Sequence, residues 1–179
     1  MIYVHLATGF EEIEALTAVD LLRRADIQVQ TVSIEDKKEV TGAHNISVVA
    51  DILFEEADYD QCEMIVLPGG MPGTTNLQKH PGLSAKIDEF HQAGRHIAAI
   101  CAAPMILGAK GYLDGREATI YTGMEKHLGK AISTGAKAVV ADHIITGKGP
   151  GCAIDFALTL IEVLKGKEAS DEVKADILF

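Results

Sequence analysis

Short apolar runs, almost unbroken, constrain this chain more than any other feature. IYVHLA (residues 2–7), MIVL (64–67) and HIAAI (96–100) each have the length of a strand, and each gives way to small or turn-forming residues. A strand with one wet face alternates apolar and polar residues, whereas an unbroken run marks a strand covered on both faces. A parallel sheet packed between helices is the expected result. The stretches between the runs have helical period. In FEEIEALTAVDLLRRA (10–25), Ile13, Leu16, Val19 and Leu22 recur at spacing three, and Ala18, Leu21 and Ala25 widen the stripe. In LSAKIDEFHQAG (83–94), Leu83, Ile87 and Phe90 share one face and Gly94 is the stop.

The remaining segments continue the alternation. QVQTVSI (28–34) reads as a strand, EDKKEVTGAHN as a polar excursion turning at Gly42, and ISVVADILF (46–54) as an extended piece bent at Asp51. ATIY (118–121) and AVVADHIITGK (138–148, with a turn near Ala141 and Asp142) are late strands, and CAIDFALTLIEVLKG is a closing helix started by GPG. No repeat, biased tract or linker interrupts the pattern. The expectation is one α/β domain over residues 1–179, a three-layer α/β/α sandwich with a mostly parallel central sheet.

Composition removes several function classes. The 179 residues are 47% apolar, enough to fill one core, and no apolar run approaches the roughly 20 residues of a membrane span. The start, MIYVHLATGFEE, has no basic n-region, so secretion is not expected. Cys62, Cys101 and Cys152 form no C-x-x-C pair, which suits reduced thiols in a cytoplasmic protein. With 26 acidic and 16 basic residues the net charge of −10 opposes a phosphate backbone, so no nucleic-acid or membrane partner is expected.

In open α/β sheets ligands sit beyond the carboxyl ends of the strands, which draws attention to residues 8–14, 68–74 and 101–104. Cys101 falls between an apolar strand and Pro104, a residue suited to the first turn of a helix. A strand-to-helix elbow needs small residues two before and two after its nucleophile, and Ala99 and Ala103 meet that need. A helix N-terminus there is expected to lower the thiol pKa. On this stretch alone, a plain buried cysteine explains Cys101 equally well. Gly69 and Gly70 in LPGGMPG either serve a tight turn alone, the better explanation on this stretch by itself, or also offer amides able to form an oxyanion site with that of Ala102. Glu14 lies on the stripe of Ala18, Leu21 and Ala25, either as a solvated first-turn acid or as a half-buried carboxyl able to hold a proton.

These segments together resemble the ThiJ/PfpI superfamily, and within it the parkinsonism-associated protein deglycase branch. The matching blocks are IYVHLATGFEEIEALTAVDLLRRA, VLPGGMPGTTNL, AAICAAP, TGKGPGCAIDFAL and GKEASDEVKADI, in that order over nearly the whole chain. The resemblance implies a flavodoxin-like, class I glutamine amidotransferase-like fold and a homodimer. It also implies a pocket with Cys101 as nucleophile, Glu14 as its protonated partner, and Gly70 and Ala102 as pocket amides. Departures narrow the branch. Ala102 stands where protease-like members carry a histidine, and none of the seven histidines has a glutamate two places on, which argues against a peptidase or glutaminase. No histidine lies in residues 129–134, His127 is nearby, and His44 replaces an arginine.

The resemblance therefore implies a cofactor-independent, metal-free glyoxalase or deglycase-like enzyme. Cys101 adds to methylglyoxal, glyoxal or an early adduct on a thiol or amine, and Glu14 shuttles the proton. The alternative is a redox-responsive stress protein or holdase that senses peroxide by oxidation of Cys101.

Overall fold

The computed structural model describes residues 1–179. The strands and helices alternate as the apolar runs and helical stripes predict. β1 (Ile2–Leu6) leads into α1 (Glu12–Arg24), followed by β2 (Val29–Ser33), β3 (Glu39–Thr41), β4 (Ser47–Val49) and β5 (Ile52–Leu53). Next come β6 (Met64–Leu67), α2 (Gly73–Lys79), α3 (Pro81–Gln92), β7 (His96–Ile100) and α4 (Pro104–Ala109). The chain then forms β8 (Glu117–Ala118), β9 (Ile132–Ser133), β10 (Ala138–Ala141), β11 (Ile144–Gly147), α5 (Ala153–Lys165) and α6 (Lys167–Asp176).

The central sheet has seven strands in the order β10-β11-β7-β6-β1-β2-β5. All of its pairings are parallel except that of the edge strand β10, which runs antiparallel to β11. The expected turn explains this exception: Asp142 adopts a φ of 54° and lets the chain reverse within two residues.

The period of two along each strand divides the core. Ile2, Val4, Leu6, Met64, Val66, Ala98 and Ile100 face one layer, where they meet Leu22, Phe156 and Ile161. Tyr3, Ile65, Leu67, Ile97 and Ala99 face the other, against Leu83, Ile87 and Phe90. Every residue of an unbroken run thus has an apolar neighbour, on one face or the other. Truncating a fully buried aromatic such as Phe90 costs about 3–5 kcal/mol.

Tertiary packing changed five expectations. On α1 the buried face is Glu14, Ala15, Ala18, Val19, Leu21 and Leu22, while Ile13 and Leu16 are 55% and 39% exposed. Spacing alone had put them in the core, but the sheet selects the alanine-rich side, which permits close approach. The polar excursion is half of a hairpin, β3 against β4, whose small sheet satisfies backbone groups that the sequence leaves open. MPGTTNLQK contains a separate helix, α2, that its turn residues conceal. ATIY contributes only Ala118 to a strand; it pairs with β9 in a separate two-stranded ladder. Finally, α5 does not close the chain, because α6 follows after Gly166 and packs against it.

Candidate functional site

The carboxyl end of β7 brings the three expected segments together. Cys101 follows the strand directly and has a φ of 63°, a left-handed conformation rare for a residue with a side chain. Strain of this kind costs about 1–3 kcal/mol and persists only where neighbours enforce it. Here two do so. The Cys101 amide donates to the Gly147 carbonyl at the end of β11, and the Cys101 carbonyl accepts from the Tyr121 amide, each at 2.9 Å. Ala99 and Ala103, the two small flanking residues, are fully buried at this crowded turn.

Glu14 is 1% exposed, so it is a buried carboxyl and not a solvated first-turn acid. Its Oε2 accepts a hydrogen bond from the Gly69 amide at 2.8 Å, and its Oε1 is buried without a hydrogen-bond partner. Gly69 is the only residue type that fits between the two groups. A Cβ at this position meets Cys101 Cβ at 2.6 Å and Glu14 Oε2 at 2.7 Å. Gly70 has a φ of +87°, which directs the chain toward α2 and leaves its amide facing the Cys101 sulfur together with that of Ala102. Cys101, Glu14, Gly69, Gly70 and Ala102 therefore lie in one place.

The electrostatics correct one expectation. Burial, reinforced by the neighbouring Glu14 carboxylate, pushes the Cys101 thiol up to about 12. The Ala102 and Gly70 amides act in the opposite direction and are outweighed. The helix does little because α4 is six residues long and Cys101 precedes its first residue, Pro104, by three. Burial likewise raises Glu14 to about 7; hydrogen bonds with Cys101 and Gly69 oppose it, and the charge of Glu11 adds to it. As pH rises through about 7 the pair passes from two protons to one, and its titrations belong to both groups. A proton on Glu14 removes the repulsion and leaves a thiolate held by two amides. A proton on Cys101 leaves a carboxylate base.

The remaining singled-out residues separate from this cluster. The His44 Nδ1 lies 2.8 Å from Glu12 Oε2 and its amide donates to Glu12 Oε1 at 2.7 Å, so it ties the β3–β4 loop to α1. This hydrogen bond, with the nearby charge of Glu11, raises the His44 pKa. His127 is exposed on a short turn. Cys62 is buried, bonds the Met64 carbonyl through its thiol, and is pushed up to about 11 by desolvation. Lys148 and Cys152 line an open cleft of about 430 Å³ with Tyr121 and Thr122, beside the elbow that Tyr121 and Gly147 hold. Sequence reasoning missed Tyr121 and Gly147. Their contribution is through backbone atoms, which leave no side-chain signature.

Comparison with known proteins agrees with this fold. The family model described as DJ-1/PfpI family matches residues 1–163. Protein DJ-1 homolog A of Arabidopsis thaliana is 37% identical over 99% of this chain and 46% of its own length. The chain thus spans less than half of that relative. The glutathione-independent glyoxalase DJR-1.2 of Caenorhabditis elegans is 33% identical over 91% of this chain and 87% of its own. The solved structure of Toxoplasma gondii DJ-1, oxidized, superposes with a TM-score of 0.95 at 35% identity, covering 99% of this chain and 97% of that one. In sequence and in fold, the chain belongs to the DJ-1/PfpI family.

Proposed function

We propose that this protein is a cysteine-dependent glyoxalase or deglycase-like enzyme acting on methylglyoxal, glyoxal or their early adducts on thiols and amines. The observation that carries the reading is the buried Glu14 carboxyl against Cys101, with the Gly70 and Ala102 amides facing the sulfur. The similarity to a glutathione-independent glyoxalase supports the substrate class.

In the reaction the Cys101 thiolate attacks the aldehyde carbon, a C–S bond forms, and the carbonyl electrons move to oxygen. The Gly70 and Ala102 amides stabilise that oxyanion until a proton arrives from Glu14. Glu14, now a carboxylate, removes the C–H proton of the hemithioacetal and returns it to the adjacent carbon, which gives a thioester. Water then releases the hydroxy acid and restores the thiol. Methylglyoxal and one water make one lactate, with no external oxidant or reductant. Without an imidazole beside the sulfur, turnover is expected to be slow.

The test is D-lactate formation from methylglyoxal, corrected for scavenging by free thiols and amines. Cys101→Ser abolishes the corrected rate, Glu14→Ala lowers it by about 10²–10⁴-fold, and His44→Ala and His127→Ala leave it nearly unchanged. Equal corrected rates for the wild type and Cys101→Ser reject the reading.

A second reading rests on the Toxoplasma structure, which is described as oxidized. Here Cys101 reacts with two peroxides in turn, giving sulfinate and two waters, and its oxidation state governs a stress or holdase role. Protonated Glu14 donates to the sulfinate. Glu14→Gln therefore keeps the sulfinate yield and Glu14→Leu lowers it, read by intact mass.

A further inference from the structure

A second cluster lies at the opposite end of the sheet from Cys101, and no part of the reaction above uses it. His91 belongs to the last turn of α3 and His143 to the turn between β10 and β11. Their Nδ1 and Nε2 atoms approach to 3.0 Å. The start of β7, at His96, is nearby, because the Ile97 amide donates to the His143 carbonyl. β7 is five residues long, so this end of the sheet is about 16 Å from the elbow.

We propose that His91 and His143 form a binding site for a divalent transition-metal ion of the Zn²⁺ or Ni²⁺ class. Two nitrogens about 2.1 Å from one ion and about 90–110° apart lie about 3.0–3.4 Å from each other, and the two imidazoles already have that separation. They come from separate elements, so the ion clips α3 to the β10–β11 hairpin. Water completes its coordination.

The surroundings hold the donors in place. The His91 ring stacks on Tyr112 with centroids 3.7 Å apart and planes 15° from parallel. Tyr112 is fixed in turn by its hydroxyl, which donates to Asp88 Oδ1 at 2.5 Å. An imidazole clamped in this way loses little freedom on ligation. The charges around the pair are mixed. Asp88 favours a cation at His91 and Asp142 at His143, while Arg116, although paired with Asp142, acts against charge on both imidazoles. The C-terminal end of α3 carries the negative end of its dipole. A third imidazole, His96, is close enough to His143 to influence its charge, and its buried Nδ1 has no hydrogen-bond partner. Imidazole donors favour Zn²⁺, Ni²⁺ and Cu²⁺ over Mg²⁺ and Ca²⁺.

The test uses the full chain without an affinity tag, carrying Cys101→Ser so that its reactive thiol does not compete. Titration with NiCl₂ in a calorimeter is expected to show one equivalent bound and a raised melting temperature. His91→Asn and His143→Asn each weaken that binding at least tenfold, while His44→Asn does not. If either variant misfolds, ZnCl₂ added to the parent protein should shift the imidazole NMR signals of His91 and His143 first. No uptake by the parent, affinity unchanged in both variants, or first shifts at His44 overturns the proposal and leaves the pair as a simple N–H···N hydrogen bond. Because Cys101 is absent from the test protein, neither result depends on the proposed enzyme activity.

Discussion

Glu14 and Cys101 meet across Gly69, where a single methyl group would strike Cys101 Cβ at 2.6 Å and Glu14 Oε2 at 2.7 Å. A residue of the first helix and the residue that directly follows β7 are thereby held in one desolvated pocket. Each then sets the proton affinity of the other.

The first consequence is for the thiol. Burial comes first among the causes that raise Cys101, and the Glu14 charge comes second. Glu14→Gln removes the charge and keeps a donor, so the thiol titrates lower. Alkylation of Cys101 by iodoacetamide at pH 8 is expected to accelerate, by up to about tenfold for each unit of pKa recovered. A slower reaction in this variant would show that the carboxyl acts as a base for the thiol more than as a repelling charge.

Stability should follow the same carboxyl. Burial raises Glu14 from 4.5 to about 7, so the folded state binds its proton more tightly than the unfolded chain. Its contribution is complete below pH 4.5 and is lost as pH rises through about 7. The loss is on the order of 3 kcal/mol. Glu14→Gln should therefore gain on the wild type between pH 5 and pH 8 in denaturant titrations, and a constant difference over that range would contradict the burial argument.

Gly69→Ala tests the contact itself. The added methyl has nowhere to go without displacing Cys101 or Glu14, and overpacking of this kind costs about 1–3 kcal/mol. The expected result is a folded but destabilised protein in which the Glu14 stability difference between pH 5 and pH 8 is altered. Wild-type stability and pH dependence would mean that the elbow moves freely.

Homodimer formation has a specific surface to test. Ile13 and Leu16 on α1 are exposed, in the same turns of helix that carry Glu14 on the buried side, and Ile46 and Val49 of the adjoining hairpin segment are 53% and 74% exposed. Apolar side chains gathered in this way suit a second copy of the chain. In sedimentation, the wild type is expected as a dimer and Leu16→Lys as a weaker one, with its circular dichroism unchanged. An unaltered dimer in Leu16→Lys assigns the interface to another face.

The sheet was legible because its signal is local. Unbroken runs at 2–7, 64–67 and 96–100 describe strands buried on both faces wherever they pack, and Gly94 and Pro104 mark helix ends through their own backbone preferences. The β3–β4 hairpin and α2 were not legible. Short elements with mixed polarity depend on partners supplied by the rest of the fold.

The sequence by itself determined the parallel α/β class, the small residues around Cys101 and the position of Glu14 on the stripe of Ala18, Leu21 and Ala25, because each follows from residue type and spacing. Only the tertiary structure decided which side of α1 is buried, exposing Ile13 and Leu16 and sealing Glu14. Only it supplied the Gly147 and Tyr121 backbone bonds that hold the elbow at φ 63°. It also reversed the expected pKa of Cys101. A helix dipole can be read from sequence, but desolvation and the charge of a residue 87 positions away (101 − 14) arise only when the chain closes around them.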